Sequence, residues 1–292
     1  MRAAAAAAVS FDAQAADFDL RAGLPPEVAR RVAAAVVALA PAGGGVLLDV
    51  GAGTGQIGEH LAGAWAARGR RRYLGIDLSG PMLAVFRRKL GAAGAGAALV
   101  RADGGVRWPV AGGTVRVLFM SRAAHLLPPE VLVEEALRVA SPRGAVVVFG
   151  CARSRPDSLR AVLRREMRRL LAEHGGVEPR RAVAAQRTIA DALARRGGEV
   201  LPVVTAASWA VVHHARHSLA AWRAKPGLGG RVVTPEVQEG VLRRLEEWIR
   251  QRYGSLDVAG DATERYELAA IRLPKVSERN PGGTSRAGGL RR

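Results

Sequence analysis

The stretch VLLDVGAGTGQIGEHL, residues 46–61, places an apolar β-prone run, a glycine-rich turn and the opening of a helix in immediate succession. A strand that passes through such a turn into a helix is the first half of a βαβ unit, and it commits the chain to an α/β fold. The glycines admit two frames. Gly53, Gly55 and Gly58 read as G-x-G-x-x-G, the dinucleotide-binding turn, whereas Asp49, Gly51, Gly53 and Gly55 read as an acid followed by G-x-G-x-G. Asp49 separates ligands that the glycines do not. A carboxylate at the strand's end faces a pyrophosphate with like charge, but suits a ligand bearing an ammonium group.

The strand and helix pattern continues downstream. Strands are expected at 46–50, 73–77, 98–101, 115–120 and 145–149, with helices at 56–67, 81–90 and 129–139. Pro128-Pro129 ahead of Glu130 fits a helix start, since proline is tolerated in the first turn and acids favour that end. After Phe149 the alternation loosens. A basic amphipathic helix is expected over 157–174, with arginines at 160, 164, 165, 168 and 169, and a second helix near 188–196. A β-rich segment over 200–214, a helix-rich insertion over 218–253 and a last strand at 266–273 follow. Residues 1–274 read as one domain, with 275–292 as a disordered basic tail lacking periodicity. No internal repeat stands out.

The 292 residues allow a substantial core, and no apolar run approaches the roughly 20 residues a membrane helix needs. The opening MRAAAAAAVS lacks the apolar core of a secretory signal, and the single cysteine, Cys151, excludes an intramolecular disulfide and a cysteine-rich metal site. A soluble, cytoplasmic protein is expected. The net charge of +18 raises nucleic acid as a partner, but lysine occurs only at 89, 225 and 275, and aromatics make up 4% of the chain. Nucleic acid is therefore possible but not favoured. His213, His214 and His217 lack a nearby carboxylate or cysteine pattern, and adjacent strand residues point to opposite faces, so no metal is expected.

Taken together with Tyr73-Leu-Gly-Ile-Asp77, the Asp49-to-Gly55 stretch resembles the class I S-adenosylmethionine-dependent methyltransferases, in particular their small-molecule, ubiquinone/menaquinone-methylase-like branch (methyltransferase type 11). The resemblance is good over about 11–150 and loose beyond. It implies a Rossmann-like, doubly wound, seven-stranded sheet with an antiparallel last strand, plus helical lid insertions. The cofactor half would be about 11–150, and elements at about 153–198 and 216–264 would build the acceptor pocket. It further implies S-adenosylmethionine as cofactor, S-adenosylhomocysteine as product, and a small-molecule acceptor methylated on oxygen, nitrogen or carbon.

The resemblance assigns Gly51, Gly53 and Gly55 to the methionine and ribose part of the cofactor, with Asp49 at the amino-acid end and Asp103 at the adenine amino group. Asp77 closes a strand where a carboxylate can accept from both ribose hydroxyls; an NAD enzyme uses an acid there for the same reason. Ala52, Leu78, Gly104 and Ser121 belong to the same implied cofactor set. Two of these residues have plainer readings: Asp77 as a cap for the helix starting near Ser79, and Asp103-Gly104 as a turn pair. Phe11-Asp-Ala-Gln-Ala-Ala-Asp-Phe18-Asp looks like the family's F-D-x-x-A-x-x-Y-D segment, which folds over the cofactor; Phe18 stands where tyrosine is usual and removes a hydroxyl. His125, after the fourth strand, is the candidate general base.

Val115-Arg116 stands where a phenylalanine-aspartate pair is usual. Cys151 does not match the cytosine-C5 RNA methyltransferases, which carry a proline-cysteine pair where this chain has Met120-Ser-Arg, and no N-P-P-Y motif is present there. Two competing readings remain: an RNA methyltransferase using the basic surface, and a non-catalytic cofactor-binding protein.

Overall fold

The computed structural model describes residues 11–69, 71–91, 96–174, 182–224, 227–229 and 233–275. The expected tail over 276–292 and the opening alanine tract over 1–10 lie outside the described residues. Five strands, β1 (Gly45–Val50), β2 (Arg71–Asp77), β3 (Ala97–Arg101), β4 (Val115–Ser121) and β5 (Ala145–Ser154), run parallel in the order β3-β2-β1-β4-β5. The long strand β8 (Ala259–Leu273) adds antiparallel to β5. The first six residues of β4 are all buried, as a parallel strand covered on both faces requires.

The expected outer strand is broken in two. β6 (Glu199–Val200) and β7 (Val204–His214) both pair antiparallel with β8, on the side away from β5. Pro202 lies between them and has no backbone N–H to give the ladder. The sheet therefore has eight strand segments where seven were expected. Within it only β8 opposes the direction of β1 to β5.

Helices cover both faces. The short helix α1 (Phe18–Ala22) leads in, and on one face α2 (Pro26–Ala38), α3 (Gly58–Ala66) and α4 (Gly80–Leu90) bury Val32, Val36, Leu61, Trp65 and Phe86 against the sheet. The other face holds α5 (Pro129–Val139) and α7 (Ala182–Arg195), with Leu132, Val139, Ile189 and Leu193. Helix α3 begins at Gly58 rather than near Gln56, because the glycine turn runs two residues further than its pattern suggests. Helix α7 begins six residues ahead of the expected 188 and packs on the main sheet with α5, so the helices of the 153–198 stretch lie in two different cores. Helices α6 (Leu159–Ala172), α8 (Ala215–Arg223) and α9 (Pro235–Tyr253) close a separate small core around Leu163, Met167, Leu219, Leu242 and Leu245.

The last strand begins at Ala259 rather than Tyr266. Its first half alternates exposed and half-buried residues, because there it forms a ribbon with the end of β5 and with β7 that α6 covers on one face only.

Candidate functional site

In an open parallel sheet, ligands bind outside the carboxyl ends of the strands where the strand order reverses, here between β1 and β4. Asp49 sits there, flanked by Gly75 of β2 and Phe119 of β4, and is only 3% exposed. The Tyr73 hydroxyl donates to Asp49 Oδ2 at 2.6 Å. Burial pushes the Asp49 carboxyl up to about 7; the Tyr73 bond works against that rise, and the charge of Asp77 adds to it. Gly58 makes the pairing possible, because a Cβ there would lie 2.5 Å from the Tyr73 hydroxyl and 2.6 Å from the Phe86 ring. The last glycine of the dinucleotide-type frame thus serves packing inside the fold.

Gly51, Gly53 and Gly55 take φ of 74°, 54° and 74°, in the left-handed region that favours glycine. A Cβ on Gly53 would meet nothing within 4 Å, so the turn opens onto space at this point. The Gly53 N–H donates to Asp77 Oδ2 and the Ser79 N–H to Asp77 Oδ1, each at 2.8 Å. Each oxygen keeps acceptor capacity for a further donor. Burial raises the Asp77 pKa, partly offset by these two bonds. Helix α4 is capped by Ser79, whose Oγ accepts from Met82 N, not by Asp77.

The N-terminal segment closes over this turn. Phe11 and Phe18 meet edge to face with centroids 6.5 Å apart. The acid that follows each ring is anchored: Ser79 Oγ donates to Asp12 Oδ1 and Thr54 Oγ1 to Asp19 Oδ1, both at 2.5 Å. The Lys89 ammonium pairs with the other oxygen of Asp19, and Leu24 N donates to Gln56 Oε1 at 3.3 Å.

Asp103 is exposed, and its Oδ1 accepts from Gly105 N at 2.7 Å, so the turn reading describes its present contact. Gly104 lies against Leu127 and Val50, and its carbonyl accepts from Trp108 Nε1 at 3.0 Å. Ala52 packs against the core, and Leu78 is 40% exposed after β2. Ser121 ends β4, with its Oγ 2.6 Å from the Tyr266 hydroxyl of β8. His125 lies in a single 3-10 turn, Ala124–Leu126, with Nδ1 buried and without a hydrogen-bond partner in the described residues; burial lowers its pKa.

Arg116 lies near the other end of β4, where its guanidinium donates to Gly144 O at 2.6 Å and to Ala42 O. This departure from the family pattern ties two loops together at the end of the strands opposite the glycine turn. Cys151 is half-buried, and burial raises its thiol pKa, the opposite of what a nucleophile needs. His213 stands 3.1 Å from Glu264, whereas His214 faces His217 at 4.7 Å; no cluster of three metal-ligating side chains occurs among the described residues. No helix among them is long and apolar enough to cross a membrane.

The sequence reading missed Tyr73, Tyr266, Asp12, Asp19, Thr54 and Lys89. Asp12 and Asp19 carried a signal, since each follows a phenylalanine in a seven-residue echo.

Residues 47–144 match the family model described as Methyltransferase domain. Among solved structures, the chain is similar to a protein from Bacillus halodurans assigned as a methyltransferase, at 18% identity over 83% of this chain and 98% of that one, with a TM-score of 0.52. A SAM-dependent methyltransferase from Aquifex aeolicus matches at 18% identity over 66% and 92%, with a TM-score of 0.45. Geranyl diphosphate C-methyltransferase from Streptomyces coelicolor A3(2), in complex with S-adenosyl-L-homocysteine, matches at 15% identity over 82% and 78%, with a TM-score of 0.44. No curated protein sequence matches the chain. Residues 47–144 thus form a methyltransferase domain, and the strand order and glycine turn that surround Asp49 agree with that match.

Proposed function

We propose that the protein transfers the methyl group of S-adenosylmethionine to an oxygen, nitrogen or carbon atom of a small-molecule acceptor. Asp49 carries this reading: a buried carboxyl beside an open glycine turn, with Tyr73 as its hydrogen-bond partner and no cation paired with it among the described residues. An amino-acid ammonium group satisfies such a site, and a pyrophosphate does not.

In this reading Asp49 holds the ammonium end, and the backbones of Gly51, Ala52, Gly53 and Gly55 follow the methionine and ribose. Asp77 accepts from the ribose hydroxyls with the lone pairs that Gly53 and Ser79 leave. Leu78, Asp103 and Gly104 border the adenine, and Ser121 closes the end of β4. When bound, the cofactor supplies a methyl group on a positively charged sulfur that needs no protonation to leave. The chain's own contribution is therefore positioning and exclusion of water. Phe11 and Phe18, anchored through Asp12 and Asp19, cover the turn. His125, neutral at pH 7 because burial lowers its pKa, accepts a proton from the acceptor at Nδ1.

A small acceptor is favoured because two of the outward arginines, Arg169 of α6 and Arg223 of α8, are already paired, Arg169 with Glu166 and Glu173, and Arg223 with Glu239 and Glu246. A chain with one half-buried cysteine also suits a reducing compartment, which supports a cytoplasmic location. Calorimetry with S-adenosylmethionine, S-adenosylhomocysteine and NAD tests the cofactor; tight NAD binding with no response to the other two overturns it. Transfer of labelled methyl to a small-molecule extract, compared with total RNA, tests the acceptor class.

A further inference from the structure

Past Phe149, β5 leaves the covered sheet and continues as a ribbon with β8, and α6 packs against that ribbon. Arg160, Arg164 and Arg168 recur every fourth residue along α6 and so share one face; all three are half-buried, whereas Arg165 and Arg169 are exposed.

The acids near this face are already engaged. Glu264 accepts from Ser154 Oγ at 2.7 Å, lies 3.4 Å from Arg160, and stands 3.1 Å from His213 Nε2. Glu267 pairs with Arg153 at 3.4 Å. Arg164 is left with no hydrogen bond or ion pair among the described residues. Removing an unpaired guanidinium from water is costly, and burial pulls its pKa down to about 10, which still leaves it charged at neutral pH.

Arg122 approaches the same place from the end of β4. Its φ of 58° is the one left-handed value at a non-glycine residue among those described, and its N–H donates to Gly150 O at 3.1 Å. The charges of Arg122 and Arg164 both act on the Cys151 thiol. Cys151 follows Gly150, where a Cβ would lie 2.5 Å from the Tyr266 hydroxyl that bonds Ser121. The cationic face therefore adjoins the end of the proposed cofactor crevice.

We infer that the acceptor carries an oxyanion, carboxylate or phosphate, bound by Arg164 between Arg160 and Arg122 on the ribbon side of the crevice. This rests on the methyl-transfer reading above. A guanidinium fork matches either anion with two parallel donors, and the half-buried setting strengthens the pairing relative to one in open water.

The test is calorimetric titration of the full chain, saturated with S-adenosylhomocysteine, with inorganic phosphate, pyrophosphate and malonate at constant ionic strength. At least one anion is expected to bind the natural protein, the phosphates and malonate separating the two oxyanion types. Arg164→Met is expected to weaken that binding about tenfold or more, the loss of a charge-assisted pair, with S-adenosylhomocysteine affinity unchanged. Its melting temperature is expected to rise, because an unpaired buried charge has gone. Arg164→Lys, which keeps charge without the fork, is expected to fall between. The inference is overturned if no anion binds while S-adenosylhomocysteine does, if Arg164→Met binds anions as well as the natural protein, or if a short single-stranded RNA binds at this face and the small anions do not. Failure of S-adenosylhomocysteine itself to bind would instead strike the methyl-transfer reading.

Discussion

Tyr73 and Asp49 lie on neighbouring parallel strands, and the phenol donates to the carboxyl at 2.6 Å beneath the glycine turn. The bond steadies an acid that burial holds near pH 7, where half of it is neutral until a cation arrives. The Asp49 pKa lies well above its unfolded value, so the folded chain keeps a proton that the unfolded chain releases between about pH 4 and 7. The stability associated with that proton is full below this window and is lost as pH rises through it.

Asp49→Asn removes the titration while keeping an acceptor for Tyr73. At pH 8 the variant is expected to be more stable than the natural protein by about 4 kcal/mol, and at pH 4 by almost nothing. Its affinity for S-adenosylhomocysteine is expected to fall roughly 10- to 100-fold, the worth of a charge-assisted contact. In the natural protein that affinity should decline as pH drops below 7. Thermal melts and calorimetry across the range check all three.

The double variant Asp12→Ala/Asp19→Ala releases Ser79, Thr54 and Lys89 from the N-terminal segment. These contacts are only partly buried, so a stability loss of about 1 kcal/mol is expected. Hydrogen exchange over residues 11–24 should rise sharply, and cofactor release should quicken. Unchanged exchange would show that the phenylalanines alone hold the segment down.

His125→Gln is expected to lower kcat about 10²- to 10⁴-fold on an acceptor that must lose a proton, with little change in cofactor affinity. Because burial lowers the His125 pKa, kcat/KM for the natural protein should be flat above pH 7 and fall only at more acid pH. A variant with an unaltered profile would remove His125 from the chemistry.

Arg116→Ala leaves the carbonyls of Ala42 and Gly144 without their donor. A loss of about 2–4 kcal/mol is expected, with S-adenosylhomocysteine affinity unchanged, because the residue lies at the end of β4 away from the turn. Denaturant unfolding beside calorimetry separates the two effects.

Asp49, Asp77 and the three turn glycines were legible because strand, turn and helix follow one another within a few residues, where local pattern is strongest. Tyr73 and Tyr266 were read only as strand residues. Their partners lie 24 and 145 positions away in the sequence, and no local spacing announces such pairs. The pattern assigns α7 to the lid because an amphipathic helix declares which face is apolar but not which neighbour receives it. The first half of β8 is not legible because its half-buried positions, Gly260 and Ala262, are too small to give an apolar alternation.

Pro202 has a consequence for the molecule among its own copies. An unbroken outer strand would offer its neighbours a continuous row of unused amides and carbonyls, the template for strand-to-strand association between chains. The proline cuts that row where Val200 and Val203, 58% and 60% exposed, would otherwise make it adhesive. The break in the sheet therefore serves as a guard against aggregation at its margin.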